Sequence, residues 1–273
     1  MIRVMVCGAY GKMGREVLKA VYGDPELSIV GAVDIKSEGA DAGELIGVSK
    51  IGVVVEKDLQ TVIDATKPQV MVDFTAPKSV MPNVRLAIKN GVCPVIGTTG
   101  LSVTDVEEID ELTKQYNVSA LIAPNFSVGA ILMMLFAAEA SKYLPHVEII
   151  ELHHDQKLDA PSGTALRTAE LISAKRGEMK QGHPDEVEKL TGARGGDFGG
   201  IRMHSVRLPG YVAHQEVIFG GIGQTLTIRH DSISRESFMP GVVLACKRIL
   251  SLKGLVHGLE HILITNAAEE KIK

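Results

Sequence analysis

The chain reads as an α/β protein in which a parallel sheet covered by helices comes first and a second α+β sheet domain follows. Three observations lead there. A β-rich run, Ile2-Arg3-Val4-Met5-Val6-Cys7, passes through a glycine turn into the helical pattern Val17, Leu18, Val21. Short apolar runs then alternate with helical patterns as far as Ser127, the arrangement a parallel sheet requires. From Val128 the alternation gives way to one apolar helix and a set of β-patterned runs divided by glycine-rich turns.

The glycine turn is Gly8-Ala9-Tyr10-Gly11-Lys12-Met13-Gly14, spaced G-x-x-G-x-x-G rather than G-x-G-x-x-G. Glycines between strand and helix let backbone amides approach a pyrophosphate, which the helix N-terminus favours electrostatically. The next strand, Leu27 to Val33, ends on Asp34, and 34 − 14 = 20 residues separate that acid from the last glycine. A carboxylate there is placed to accept hydrogen bonds from a ribose diol. Strand, glycines, helix, strand and terminal acid in that order predict a Rossmann-like, dinucleotide-binding domain.

Further along, Val70 to Phe74 is a strand closing on Thr75-Ala76-Pro77, with a helix-like stretch running to Asn90-Gly91. Cys93 to Ile96 is a buried strand that ends in Gly97-Thr98-Thr99-Gly100. Asp105 to Tyr116 is an amphipathic helix, and Val118 to Ala123 is a strand closing on Pro124-Asn125-Phe126-Ser127. In parallel α/β sheets ligands lie beyond the carboxyl ends of the strands. Phe74, Thr75, Gly97, Thr98, Thr99, Ala123, Pro124, Asn125 and Phe126 therefore join the glycine loop and Asp34 as candidate cofactor contacts.

An apolar helix, Val128 to Tyr143, leads into the strand Val147 to Ile150 and then into Glu151-Leu152-His153-His154-Asp155-Gln156-Lys157-Leu158-Asp159-Ala160-Pro161-Ser162-Gly163-Thr164-Ala165. This segment holds adjacent imidazoles, an ammonium three residues on, and Ser-Gly-Thr opening a helix that runs from Thr164 to Lys175. Imidazole and ammonium groups move protons and hold anions, and a helix N-terminus adds free N–H donors. The convergence predicts a site for an anionic substrate, although Ser162 or Thr164 is also suited to plain helix capping. Lys175 to Gly200, rich in Gly, Lys and Glu, reads as a loop. The runs Met203 to Leu208, Ala213 to Phe219 and Gln224 to His230 read as antiparallel neighbours joined by Leu208-Pro209-Gly210-Tyr211 and Gly220-Gly221-Ile222-Gly223. Gly241 to Leu250 is an apolar helix expected to return to the first domain. The expected division is 1–127, completed by 240–273, for dinucleotide binding and 128–239 for substrate binding and oligomerisation.

At 273 residues, 45% hydrophobic and 23% charged, the chain has ordinary globular composition. A net charge of −4 gives no basic footprint for nucleic acid. The longest apolar run, Val128 to Ala138, is too short to span a bilayer, and no leader pattern precedes the first strand. Cys7, Cys93 and Cys246 lie in apolar segments and read as reduced thiols of a cytoplasmic protein. No metal-ligand set is expected, because adjacent His153 and His154 on a strand point to opposite faces.

The run His153-His154-x-x-Lys157-x-Asp159-Ala160-Pro161-Ser162-Gly163-Thr164-Ala165, behind Gly8-Ala9-Tyr10-Gly11-Lys12-Met13-Gly14, closely resembles the dihydrodipicolinate reductases, also called 4-hydroxy-tetrahydrodipicolinate reductases. Asp73-Phe74-Thr75, Gly97-Thr98-Thr99-Gly100 and Ala123-Pro124-Asn125-Phe126-Ser127 extend the resemblance over most of the chain. The resemblance implies an NADH- or NADPH-dependent enzyme of diaminopimelate and lysine synthesis, commonly a homotetramer, acting on a cyclic dicarboxylate. It implies that His153 is the proton donor or acceptor and Lys157 a second donor. His154 would contact substrate, while Gly163 and Thr164, with Ser162 beside them, would hold a carboxylate. A histidine suits proton supply because its unperturbed pKa lies near working pH.

One departure bears on the cofactor. Ile35 stands where many relatives that handle the extra phosphate of NADPH carry arginine, with Lys36 next. Asp34 favours a free diol while Lys36 or Lys12 offsets its repulsion of a phosphate, so both cofactors are expected to work, with NADH preferred. Two other readings compete: another nicotinamide enzyme of amino-acid synthesis, such as a semialdehyde or homoserine dehydrogenase, or a non-catalytic dinucleotide sensor. A semialdehyde enzyme of the phosphorylating kind needs a catalytic thiol, which the core-patterned cysteines do not suit. A sensor has no use for His153 and Lys157.

Overall fold

The structure, a computed structural model, describes residues 1–36 and 38–263. The chain forms two compact units, one from Met1 to Val128 completed by the chain from Arg235 onward, the other from Gly129 to Ser234. The return therefore falls at 234/235, before the expected 239/240, because the short 3-10 turn Arg235–Phe238 already packs with the first unit's helices. Residues 264–273 of the expected returning segment lie outside the described residues.

In chain order the first unit begins with β1 (Ile2–Cys7), α1 (Lys12–Gly23), β2 (Leu27–Val33), α2 (Ala42–Leu45), β3 (Val55–Glu56) and α3 (Leu59–Thr66). It continues through β4 (Val70–Asp73), α4 (Pro77–Lys89), β5 (Cys93–Ile96), α5 (Val103–Tyr116) and β6 (Ala120–Ile122). The second unit holds most of α6 (Val128–Ala140), then β7 (His146–His153), α7 (Gly163–Arg176), β8 (Gly196–Phe198), β9 (Ile201–Arg207), β10 (Ala213–Gly221) and β11 (Gln224–Ser232). The chain then returns as α8 (Met239–Arg248), β12 (Leu255–His257) and α9 (Glu260–Leu263).

The first unit's sheet is parallel, seven-stranded, and ordered β12-β6-β5-β4-β1-β2-β3. Its inner strands are apolar on both faces, as a sheet covered on both sides requires; Val4 to Cys7 and Val70 to Val72 are fully buried. On α1, Gly14, Val17, Leu18 and Val21 form the buried stripe of a 3.6-residue repeat. Burying each of the three larger side chains stabilises the fold by roughly 1.5–3 kcal/mol. Side chains cap the helices where the sequence supplies them. Asp58 accepts the Thr61 N–H at 2.7 Å to start α3, and Ser102 and Asp105 form a reciprocal capping box on α5. Strand order reverses at β1, between β2 and β4, so the carboxyl ends of those strands flank a crevice.

The second unit's sheet is ordered β11-β10-β7-β9-β8. Along β7 the buried positions are Val147, Ile149 and Glu151, and along β10 Gln215, Val217 and Phe219, an alternation with one face toward α7. Contrary to the hairpin expected from Pro209-Gly210, β9 and β10 are not neighbours. β7 lies between them, antiparallel to β10 and parallel to β9. The segment Leu208–Val212 passes the carboxyl end of β7, where Leu208 donates its N–H to the His153 carbonyl at 3.1 Å. A central β7 buries its apolar face between two partners, which a turn signal alone does not encode. The stretch expected as loop up to Gly200 ends in a strand, β8, paired antiparallel to β9.

Candidate active site

Parallel register brings the expected cofactor contacts to one edge of the first sheet. Cys7 is level with Val33 and Asp73, Asp73 with Ile96, and Ile96 with Ile122, so the residues following each strand emerge together. Gly8 has φ +81°, and a Cβ on it would collide with the Phe74 carbonyl oxygen; one on Gly14 would collide with the Gly8 carbonyl oxygen. Those two glycines allow the turn and the close approach of α1 to it. The cap residue Gly11 offers no side-chain acceptor, and the N–H groups of Lys12, Met13 and Gly14 meet none among the described residues. Three unsatisfied donors at a helix start, beyond the strands of a reversing sheet, fit a dinucleotide pyrophosphate.

Asp34 ties β2 to this loop. Its Oδ2 accepts the Tyr10 N–H at 2.9 Å and its Oδ1 the Lys36 N–H at 2.8 Å. Only the backbone of Lys36 is engaged there. Arg15 lies over the Tyr10 ring at 4.4 Å and donates from Nε to the Tyr10 carbonyl at 3.1 Å. Deeper in, fully buried Asp73 accepts from the hydroxyls of Thr75 at 2.7 Å and Thr98 at 2.6 Å, and from the Asn83 amide at 2.8 Å. Burial, with Asp73 and Asp34 nearby, pushes the Cys7 thiol well above its ordinary pKa. Among the expected contacts, Ala9, Thr98, Ala123 and Phe126 are buried, and the Phe126 ring packs on Phe74 with centroids 5.6 Å apart. Asn125 Oδ1 accepts the Ser127 N–H at 2.8 Å, and Thr99 and Pro124 are exposed.

In the second unit His153 is the last residue of β7, and its Nδ1 is hydrogen-bonded to the Glu151 carboxylate. Glu151 is itself 1% exposed and accepts Arg207 Nη1 at 2.9 Å and Nη2 at 2.7 Å. Burial alone would raise its pKa, but hydrogen bonds from His153, Arg207 and Ser205 outweigh it and hold the carboxyl at about 2. Lys157 sits in the turn after His153 and donates to Asp159 Oδ1 at 2.7 Å; this bond is the main cause that lowers the pKa of Asp159. His154 is exposed. Ser162 is the N-cap of α7 and accepts the Ala165 N–H at 3.2 Å, so its hydroxyl serves the helix. The Gly163 N–H has no acceptor among the described residues, and a Cβ on Gly163 would meet nothing within 4 Å. Thr164 follows in the first turn, and its carbonyl accepts the Thr168 hydroxyl at 2.8 Å.

The sequence alone gives Glu151 no role and does not mark Arg207. Glu151 had a readable signal: it occupies an inward position after Val147 and Ile149, where a carboxylate needs a partner. Arg207 had none, since its partnership depends on the parallel register His153↔Arg207 across 54 residues of sequence.

Comparison with known proteins agrees across both units. The N-terminal family model of dihydrodipicolinate reductase matches residues 2–126 and the C-terminal one residues 129–263. A protein of Desulfitobacterium hafniense named 4-hydroxy-tetrahydrodipicolinate reductase is 56% identical over 263 residues, covering 96% of this chain and 98% of the relative. One of the same name from Syntrophomonas wolfei is 55% identical over 261 residues, covering 96% and 98%. The solved dipicolinate-bound dihydrodipicolinate reductase from Paenisporosarcina sp. TG-14 superposes with a TM-score of 0.87 at 46% identity, covering 96% of this chain and 99% of that one. On these grounds the chain belongs to the dihydrodipicolinate reductase family.

Proposed function

We infer that this chain is an oxidoreductase that reduces 4-hydroxy-tetrahydrodipicolinate to tetrahydrodipicolinate with NADH or NADPH, on the diaminopimelate route to lysine. The family supports the activity. The observation in the structure that carries it is the His153–Glu151–Arg207 chain of hydrogen bonds, next to a turn bearing Lys157 and an unsatisfied helix N–H at Gly163. When bound, the nicotinamide supplies the hydride. With Nδ1 held by Glu151, the His153 ring keeps Nε2 for a ligand, and Nε2 is the atom we assign to proton delivery. Lys157 supplies a second proton or offsets negative charge on the substrate, and His154 and the amides at Gly163 and Thr164 hold its carboxylates.

On the cofactor side, Lys12, Met13 and Gly14 would hold the pyrophosphate through their amides, and Asp34 the adenosine ribose. We propose that NADH is preferred, because Asp34 repels a 2′-phosphate and the exposed neighbour Ile35 carries no charge to offset it. We further propose a cytoplasmic homotetramer, following the resemblance; the three buried, unpaired thiols suit a reducing compartment. Among the described residues no helix is long and apolar enough to cross a membrane.

The deciding experiment follows reduced-nicotinamide absorbance with cofactor alone and after adding the hydroxy-dicarboxylate. Loss of absorbance only after the addition supports the reductase, whereas cofactor binding without turnover would make the chain a sensor. Light scattering of the purified protein tests the tetramer.

A further inference from the structure

The second unit pairs the buried Glu151 carboxylate with the partly buried Arg207 guanidinium beside the proton-handling residues, and stability alone is a poor reason for it. Taking two charges out of water costs about what their attraction returns, so apolar replacements are often as stable. What the pair holds in place is more informative. Arg207 stands opposite His153 in the β7/β9 register, and its two Nη atoms grip both oxygens of Glu151 at 2.9 and 2.7 Å. Glu151 passes that restraint on to Nδ1 of His153. The remaining Nη hydrogens reach the carbonyls of Val206 and Asp159, each at 2.8 Å. Asp159 in turn carries the carboxylate that holds Lys157 Nζ at 2.7 Å.

A guanidinium has five N–H donors. Four of these are spent inside the protein, and the fifth, on Nε, is buried with no partner among the described residues. Arg207 therefore has no exposed donor left for a substrate carboxylate. Its fork instead spans two separate pieces of chain, the end of β7 and the turn before α7.

We propose that Arg207 is the positioning residue for proton transfer in this site, orienting the His153 ring through Glu151 and anchoring the Lys157 turn through the Asp159 carbonyl. The proposal rests on the reading of His153 as proton donor. Planar, bidentate geometry explains why arginine is required: a lysine supplies the charge but reaches neither both carboxylate oxygens nor the carbonyl beyond them.

The test is a set of steady-state measurements on Arg207→Met and Arg207→Lys, each alone and combined with His153→Gln. Arg207→Met is expected to lower kcat by roughly 10²-fold, the scale of one acid–base contribution, while NADH affinity stays as in wild type. Arg207→Lys should retain charge and fold, fall between the two in kcat, and carry the test if the Met variant does not fold. In the His153→Gln background either substitution should cost far less than it does alone, because the two side chains act as one unit. Wild-type turnover by Arg207→Lys, or equal fold-losses in both backgrounds, would overturn the proposal and leave the role of His153 standing. Wild-type turnover by His153→Gln alone would overturn that role, and this proposal with it.

Discussion

Thr98 donates its hydroxyl to Asp73 at 2.6 Å and accepts the Thr75 N–H on the same oxygen at 2.8 Å, tying the ends of β4 and β5 together. A fully buried carboxylate with two hydroxyl donors, a backbone amide and an Asn83 amide around it is a satisfied structural group. It sets the loops after both strands at a fixed height on the cofactor edge. Thr75 and Thr98, both expected as cofactor contacts, spend their hydroxyl protons on Asp73. Neither hydroxyl hydrogen is therefore left for a ligand.

Proton supply is tested by His153→Gln and Lys157→Ala. Each is expected to lower kcat by roughly 10²-fold or more. Calorimetric NADH affinity should stay as in wild type, because both residues lie in the second unit. Wild-type turnover by a variant lacking both side chains would remove these residues from the chemistry.

The start of α7 provides a cleaner steric test. A Cβ on Gly163 meets no protein atom, so Gly163→Val should fold normally and bind NADH. Its substrate KM should rise strongly, because the added branch occupies the space a carboxylate needs beside the free amide. Thr164→Val should weaken binding by about 1–3 kcal/mol if a buried acceptor loses its donor. Pyridine-2,6-dicarboxylate titrated into both variants is the check, and undiminished affinity would reduce the segment to a capped helix.

Cofactor choice turns on Asp34. Its carboxylate also holds the Tyr10 and Lys36 amides, so Asp34→Ala should weaken both cofactors while costing NADH more, by roughly tenfold. Lys36→Ala should cost NADPH more, if its ammonium reaches the phosphate. Calorimetry of both variants with both cofactors decides this, and equal losses throughout would place Asp34 away from the ribose.

Acid stability reports on Glu151. Its carboxyl is held at about 2 against an ordinary 4.5, so the folded state binds this proton less readily than the unfolded chain. The resulting stabilisation is complete above about pH 5 and is lost as pH falls through 4.5 toward about 2, with an upper bound of roughly 3 kcal/mol. Glu151→Gln should flatten that part of the curve. Urea unfolding of both proteins between pH 6 and about pH 3 measures it, and parallel curves would mean that Glu151 titrates alike in both states.

Periodic and local features were legible in the sequence. The strand–glycine–helix start, Asp34 at the end of β2 and the His153-to-Thr164 segment each announce themselves within about twenty residues. Pro209-Gly210 predicts a β9–β10 hairpin that the fold does not form, because the turn reads the same whether the next strand pairs beside the last one or one place further across. Arg207 was invisible for a related reason, since register between distant strands is settled by packing. The stretch from Ile35 to Gln69 has weak periodicity, which marks no element boundaries. There Asp41 organises the chain by accepting the amides of Gly43, Ile51 and Gly52 at 2.8 to 3.0 Å.

The discontinuity of the first unit has a consequence during synthesis. A ribosome completes all five strands of the second sheet before it has made β12, which pairs with β6, or α8, which covers α1. The nascent nucleotide-binding half is left meanwhile with an open edge at β6 and an apolar groove that Val242, Ala245 and Cys246 will later fill. A chain stopped at Ser234 is thus expected to hold a finished second unit and an aggregation-prone first one. Circular permutants that attach the returning segment ahead of Met1 should relieve that vulnerability, so the order of translation, independent of the final contacts, becomes a property this fold must manage.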